Sequence, residues 1–172
     1  MFDPRLASLA GQAAALLVAR GESVAVAEGS CGGLVSAALL SVPGASAYYT
    51  GGAVIYTRSA AKAFLRGAIP TPPDLRGATE PWAAYLARSV VVKLDATWGI
   101  GEGGAAGPSA NPYGDPAGHA WVAVTGPREA TRHVLTGRSD RAENMVAFAV
   151  EALTLFVEVL VFSEDLEHPA DR

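Results

Sequence analysis

The chain has 172 residues, half of them apolar, and its 13 lysines and arginines are outnumbered by 17 acidic residues, for a net charge of −4. This length suits one domain with a substantial core, and the apolar fraction is too high for a disordered chain. The acidic balance and scattered basic residues argue against a nucleic-acid-binding or membrane-surface protein, and the single cysteine excludes an internal disulfide and a multi-cysteine zinc site.

The N-terminal quarter predicts a helix, a buried strand and a second helix. Apolar residues at helical spacing predict a helix over residues 6–19 that ends at Gly21. The run at residues 24–27 predicts a buried strand. An apolar helical pattern then extends from Leu34 to the turn signal at residues 42–44. The strand must therefore turn sharply into the second helix.

That turn, residues 28–33, reads Glu-Gly-Ser-Cys-Gly-Gly. Such turns present backbone N–H groups and the positive end of a helix dipole, which proteins use for anions, oxyanions and exposed nucleophiles. Ser30 is either a nucleophile or a turn residue, and Cys31 is either a reactive thiol or a small buried filler. Glu28 is expected to hold the turn by accepting hydrogen bonds from backbone N–H groups. An ordinary strand-to-helix connection is the simpler alternative.

The next segment predicts a second strand and a short helix. Residues 47–56 have strand character, and Gly51 and Gly52 within them indicate a bulge or a close backbone approach. Residues 59–65 predict a short helix with Ser59 as its N-cap.

The central part predicts a longer helix, a strand and a loop. Thr79 is predicted to cap a helix that runs to Leu94. Residues 95–100 predict a strand, and the glycine-rich residues 99–107 could cradle a phosphate as a backbone nest, although they lack P-loop spacing. The proline-containing residues 108–118 predict an exposed loop.

The C-terminal third predicts a hairpin followed by a long helix. Alternating residues at 119–125 and 130–136 predict two paired strands. The apolar run over residues 140–160 contains Glu151 and Glu158, so we expect a packed helix and no transmembrane span.

These elements together predict an α/β fold with a mixed sheet, in one domain over residues 1–162. The acidic residues 163–172 are expected to form a frayed tail. The N-terminus lacks the layout of a signal peptide, so we expect a cytoplasmic location. No metal site is expected, because the histidines form no ligand pattern; they stand at His119, His133 and His168.

Six segments stand out in chain order, namely residues 26–28 with 32–34, 41–48, 52–56, 106–108, 118–123 and 140–141. In this order they resemble the C-terminal domain of the CinA (competence/damage-inducible) family over residues 6–160. The resemblance implies a three-layer α/β/α sandwich, metal-independent amide hydrolysis without a cofactor, and a homodimer. The family includes nicotinamide mononucleotide deamidases, so the implied partner is a small nucleotide of that kind.

The resemblance also implies site residues. In the family a serine of the turn attacks the carboxamide while a nearby lysine acts as base, roles that fall here on Ser30 and Lys62, with Tyr56 in support. The alternatives are a solvated lysine and a strand-end tyrosine. Arg141 could contact a phosphate, or could instead pair with Glu143 or Asp140. The remaining implied substrate contacts are glycines, namely Gly32, Gly33 and Gly107.

The chain departs from the family pattern at positions that carry chemistry. The family turn reads Glu-Ser-Cys-Thr-Gly-Gly, so a gapless alignment places Gly29 where the serine belongs, and only a one-residue slip retains Ser30. Gly103 replaces a family hydroxyl, and Lys62 is one residue further from Tyr56 than in the family. Two hypotheses stay open: a nicotinamide mononucleotide amidohydrolase, and a catalytically degenerate paralogue that binds a nucleotide or a protein partner without turnover.

Overall fold

The computed structural model describes the backbone of residues 3–167 and the side chains of residues 3–163. Five α-helices and five β-strands form this part of the chain. Their bounds are α1 Pro4–Arg20, β1 Val24–Glu28, α2 Leu34–Leu40, β2 Tyr49–Val54, α3 Arg58–Leu65, α4 Glu80–Leu94, β3 Trp98–Ala105, β4 His119–Thr125, β5 Ala130–Leu135 and α5 Arg141–Glu167, with a 3₁₀ turn at Ala45–Ala47.

The strands form a single mixed sheet in the order β2-β1-β3-β4-β5. Strand β1 runs parallel to both of its neighbours, whereas β4 is antiparallel to β3 and to β5. Helices α1, α2 and α5 pack on one face, and α3 and α4 pack on the other. The predicted α/β class and three-layer α/β/α sandwich with a mixed sheet are therefore confirmed.

The larger core lies between the sheet and the layer of α1, α2 and α5. Val26 of β1 and Ile100 of β3 project from the same face of the sheet, because they are paired in register. Both are fully buried together with Phe148 and Phe156 of α5. Truncating a buried aromatic side chain of this kind costs about 3–5 kcal/mol. This side of the sheet therefore carries much of the stability of the fold.

Helix α5 is the one described helix that is long and apolar enough to cross a membrane, with a mean hydropathy of 2.2 over its apolar part. Half of that part is buried within the fold. Core helices of globular proteins pass the same test, and α5 packs on α1 and the sheet as the sequence predicts. The predicted tail, 163–172, begins inside α5, and residues 168–172 lie outside the described part.

Several element ends match the predictions and one cap does not. Gly21 closes α1 in the left-handed conformation, and Thr79 caps α4 through its side chain, as predicted. The predicted bulge in β2 is confirmed, since the pairing with β1 skips Thr50. The prediction that Ser59 caps α3 is wrong. Thr57 accepts from the Ala60 N–H instead, because the helix begins earlier than its apolar pattern suggests.

The glycine-rich residues 99–107 do not form the predicted phosphate-binding nest, because most of them lie within β3. A Cβ on Gly99 would lie 2.2 Å from the Ala87 carbonyl oxygen, and one on Gly101 would lie 2.0 Å from that of Ala83. The glycines therefore allow α4 to pack directly against the strand.

Candidate active site

A pocket of about 670 Å³ opens beyond the carboxyl ends of β1, β2 and β3. In open α/β sheets, ligands bind at this end of the strands. Ser30 follows β1, Tyr56 follows β2, and Gly103 and Gly104 belong to the pocket-facing part of β3. Helix α3, the start of α4 and the loop at Asn111 complete the wall. The fold thus gathers residues from distant parts of the chain around one cavity.

Glu28 holds the turn after β1, as the sequence predicts. It is fully buried, and its carboxylate accepts from the N–H groups of Gly33 at 3.0 Å, Val35 at 3.1 Å and Ser36 at 3.0 Å. The Ser36 hydroxyl donates to the same carboxylate at 2.6 Å. A carboxylate at this position fills the amino-terminal end of α2, so an external anion is excluded from it.

Ser30 lines the pocket, and its hydroxyl donates to Oε1 of Glu102. Oε2 of the same carboxylate accepts from the Gly29 N–H at 3.0 Å and the Cys31 N–H at 2.9 Å. Ser30 is 6% exposed and Glu102 is fully buried. The carboxylate therefore lies directly behind the serine, on the side away from the pocket.

The sequence pattern alone does not single out Glu102, because its glycine neighbours suggest a loop. The structure places it in β3, in register with Glu28 of β1, so both side chains project from the same face of the sheet. A lone acidic residue inside an otherwise apolar and glycine-rich run is the signal that could have found it. A charge there must be buried with partners once the run is recognised as a strand.

Burial raises the pKa of Glu102, whereas hydrogen bonds from Ser30 and Cys31 lower it. The charge of Glu28 adds to the upward shift. Burial also raises the pKa of the Cys31 thiol well above its usual value, and the charges of Glu102 and Glu28 raise it further. Cys31 is fully buried, so of the two alternatives it is the small buried filler and not the reactive thiol.

Lys62 lies on α3 and lines the same pocket as Ser30. Its side chain is exposed, and it makes no hydrogen bond or ion pair with any residue in the part of the chain that the structure describes. The Ser30 hydroxyl is directed to Glu102 and not to Lys62. The two predicted catalytic residues thus share a cavity without contacting each other.

Tyr56 and Arg141 contact each other at the edge of the site. Nη2 of Arg141 donates to the Tyr56 hydroxyl at 3.2 Å, and Nη1 donates to the Gly107 carbonyl at 2.9 Å. Of these three residues only Tyr56 lines the pocket. Arg141 makes neither of its alternative acidic contacts: Glu143 is paired with Arg138, and the Asp140 carboxylate accepts from the Glu143 N–H.

The three predicted substrate-binding glycines lie outside the pocket wall. Gly33 donates its N–H to Glu28, and a Cβ on Gly32 would lie 2.8 Å from Cε of Met145. Gly107 has a φ of 104° and packs against the Ser139 carbonyl. These glycines shape the backbone that surrounds the site.

The two positions where the family has hydroxyls differ in how much room they leave. A Cβ on Gly29 would make ordinary contacts of 3.4 Å with the Glu102 and Ile55 carbonyl oxygens. A Cβ on Gly103 would lie 2.7 Å from Cδ1 of Trp82. The indole of Trp82 therefore occupies the space that a side chain at Gly103 would need.

The pocket has a cationic side and an aromatic side. Arg58 and Lys62 lie one turn apart on α3, Arg66 directly follows the last residue of this helix, and all three line the cavity. Trp82 and Tyr85 stack with ring centroids 5.9 Å apart. The residues that line the pocket include no aspartate or glutamate. The cavity therefore favours an anionic ligand with a planar ring.

One wall belongs to the predicted exposed loop, residues 108–118. Tyr113 lines the pocket and lies under the Arg76 guanidinium, 5.0 Å from its ring centroid. Arg76 pairs with Asp115 at 2.7 Å, and this hydrogen bond lowers the pKa of Asp115 to about 2. The pair fixes the loop to the segment that precedes α4.

Two histidines lie beside this loop. His119 bonds through Nε2 to the Ala78 carbonyl at 2.8 Å, and through Nδ1 to Nε2 of His133 at 2.9 Å. Within the described residues, no group of three or more His, Cys, Asp or Glu side chains could hold a metal ion. His168 lies outside the described part of the chain.

Known proteins share this sequence pattern and this fold. The CinA C-terminal domain family matches residues 6–160. A CinA-like protein of Anaeromyxobacter sp. strain K is 39% identical over 147 residues, which cover 82% of this chain and 35% of that protein. A CinA-like protein of a Synechocystis species is 36% identical over 140 residues, covering 81% of this chain and 33% of its own length. The chain thus spans about a third of the length of these curated relatives.

Solved structures show the same architecture. A competence/damage-inducible protein from Agrobacterium tumefaciens superposes with a TM-score of 0.84 at 24% identity, covering 92% of this chain and 98% of that one. A CinA superfamily protein from Enterobacter cloacae superposes with a TM-score of 0.82 at 27% identity, covering 90% and 92%. The matched residues, the identity to these relatives and the shared fold together show that the chain belongs to the CinA C-terminal domain family.

Proposed function

We propose that this domain binds an anionic nucleotide that carries a carboxamide, such as nicotinamide mononucleotide, and hydrolyses the carboxamide. The observation that carries the proposal is the composition of the pocket. It has a serine, three cationic side chains on α3 and at its C-terminal end, a pair of stacked aromatic rings, and no acidic residue in its lining. A phosphate, a planar ring and an amide each have a complementary group in such a cavity.

The ligand would lie with its phosphate at α3 and its ring against Trp82 and Tyr85. Guanidinium groups suit phosphate because they offer a planar set of donors, and aromatic faces favour stacked rings. Glu28 already fills the amino-terminal end of α2, so α3 is the cationic surface left for the phosphate. This orientation directs the carboxamide towards Ser30.

Hydrolysis would begin with attack of the Ser30 hydroxyl on the carboxamide carbon. The negative oxygen that forms needs N–H donors, and those of Gly29 and Cys31 are bound to Glu102. Within the described residues, the N–H group of Ser30, which lines the pocket, donates to no protein acceptor, and this leaves it for the role. Ammonia would leave, and water would release the acid.

A second function, ligand binding without turnover, is favoured by a specific observation. The family hydroxyl positions hold Gly29 and Gly103, and Trp82 fills the space beside Gly103. The Ser30 hydroxyl also faces Glu102 and not Lys62. A domain with this arrangement could retain the pocket after losing the reaction.

One experiment separates the two functions. Purified protein is incubated with nicotinamide mononucleotide, ammonia release is measured, and binding is followed by calorimetry. Ammonia that disappears in Ser30→Ala supports hydrolysis, whereas binding heat without ammonia supports the binding function. Arg58→Ala should weaken binding about tenfold, and the matched control Arg128→Ala, outside the pocket, should not. Absence of both heat and ammonia would overturn the proposal for this ligand.

A further inference from the structure

We propose that Glu102, and not Lys62, takes the proton of the Ser30 hydroxyl when that hydroxyl attacks. This inference rests on the proposed function, in which Ser30 is the nucleophile. The carboxylate already accepts the hydrogen bond of the hydroxyl that would react. A base must be within hydrogen-bond reach of the proton it removes, and within the described residues Glu102 is the side chain that meets this condition.

The carboxylate is fixed in orientation by the turn that carries the serine. The N–H groups of Gly29 and Cys31 both bind Oε2, which leaves Oε1 for the hydroxyl. In activated serines the hydroxyl contacts a base, and a third group orients that base. Here the third group is the backbone on either side of Ser30. Movement of the turn would therefore carry nucleophile and base together.

The surroundings of Glu102 make its carboxylate a stronger base than an exposed one. Burial raises the pKa of this carboxyl group, which makes the carboxylate a stronger proton acceptor than an exposed one. The neighbouring titratable groups are Cys31, whose buried thiol stays protonated, and Glu28, whose charge disfavours a second one. Lys62 is exposed, whereas a lysine serves as a base when it is partly desolvated.

The reaction balances with water as the only co-reactant. The Ser30 Oγ–C bond forms as the proton moves to Oε1 of Glu102 and the carbonyl electrons move to oxygen. When the C–N bond breaks, Glu102 returns the proton to nitrogen and ammonia leaves. Water then attacks the ester and gives its proton to Glu102, and the proton returns to Ser30 as the C–O bond breaks. The products are the carboxylic acid and ammonia.

The test measures the reactivity of Ser30 without assuming a substrate. A fluorophosphonate forms an Oγ–P bond and loses fluoride, and intact mass and peptide mapping report the rate at Ser30. Glu102→Gln can keep both backbone hydrogen bonds with its carbonyl oxygen while its amide faces Ser30, so the hydroxyl loses its acceptor. Labelling should slow at least about 100-fold in Glu102→Gln, should persist in Lys62→Ala, and should change by less than about threefold in the control Arg128→Ala, which lies outside the pocket. Ser30→Ala is the blank.

The outcomes separate this inference from the proposed function. Labelling that persists in Glu102→Gln, stops in Lys62→Ala, or is absent at Ser30 of the unaltered protein overturns the role of Glu102. Labelling that depends on Glu102, without ammonia from the nucleotide, overturns the substrate alone. Thermal melting monitors folding, and Glu102→Asp is a second variant, in which a displaced carboxylate should retain slow labelling. Its labelling rate should still rise with pH, whereas that of Glu102→Gln should not.

Discussion

Two buried glutamates, Glu28 and Glu102, lie side by side on neighbouring strands, and they differ in how their oxygens are bound. Both oxygens of Glu28 accept backbone N–H groups. Glu102 receives its backbone N–H groups on one oxygen and a serine hydroxyl on the other. Backbone donors thus hold both oxygens of Glu28, whereas one oxygen of Glu102 binds no backbone donor and contacts the hydroxyl of Ser30. The number and kind of donors, more than burial, distinguish a structural carboxylate from a chemical one.

Replacing each glutamate by glutamine tests this comparison most strongly. In Glu28→Gln the amide must face a backbone N–H in either orientation, so we expect a loss of about 3 kcal/mol in the free energy of unfolding. In Glu102→Gln the Ser30 hydroxyl can rotate to accept from the amide, so the loss should be about 1 kcal/mol. Urea unfolding followed by tryptophan fluorescence gives both values. Equal losses would contradict the distinction between the two carboxylates.

The pH dependence of stability sharpens the comparison next. The pKa of Glu102 is raised in the folded protein, so the native state holds the proton more tightly than the unfolded state. The contribution of Glu102 to the free energy of unfolding is greatest below about pH 4.5 and declines as the pH rises through the folded-state pKa. The decline amounts to about 1.4 kcal/mol for each tenfold difference in proton affinity between the folded and unfolded states. Glu102→Gln should remove this decline in denaturation series run between pH 4 and 8. A decline that is unchanged in the variant would assign it to another group.

The two serine partners should differ by a smaller amount. Ser30→Ala removes the hydroxyl from Oε1 of Glu102 in a buried site, and we expect a loss of about 1.5 kcal/mol in the free energy of unfolding. Ser36→Ala leaves the Ser36 N–H on the same oxygen of Glu28, so its loss should be about 0.5 kcal/mol. Thermal and urea unfolding of the two variants gives the difference. A larger loss for Ser36→Ala would reverse the order.

The partly exposed carboxylate of Asp115 provides the smallest expected effect on stability, and its pH dependence is opposite to that of Glu102. The Arg76 hydrogen bond lowers the pKa of Asp115, so its contribution to stability is present above about 3.8 and is lost as the pH falls through about 2. Because Arg76 is partly solvated, we expect Asp115→Asn to cost about 0.5 kcal/mol at neutral pH. The loss should vanish near pH 2 in melting experiments. A loss that persists there would show that the loop depends on packing instead.

The sequence predicts most of the fold because its signals are local. The strand at residues 119–125 and the cap at Thr79 follow from alternation and capping chemistry, and both occur as expected. Glu28 is recognisable because it ends an apolar strand directly before a turn. These features depend on residues that are close together in the chain.

The site is less accessible to sequence reasoning because its contacts are long-range. Glu102 reaches Ser30 only after β3 pairs with β1, and no local pattern records that pairing. The glycines of β3 suggest a flexible loop, whereas Gly99 and Gly101 allow a helix to approach the strand. Whether a glycine serves flexibility or close packing depends on a neighbour that lies elsewhere in the sequence.

The seating of α4 on Gly99 and Gly101 has a mechanical consequence. The first turn of this helix carries Trp82, which forms part of the ligand cavity, and the body of the helix rests backbone to backbone on the strand. The position of the indole therefore depends on the absence of a side chain at Gly99 and Gly101. A Cβ atom at either glycine would push α4 away from the strand and move Trp82, so two residues outside the pocket lining control the width of the pocket.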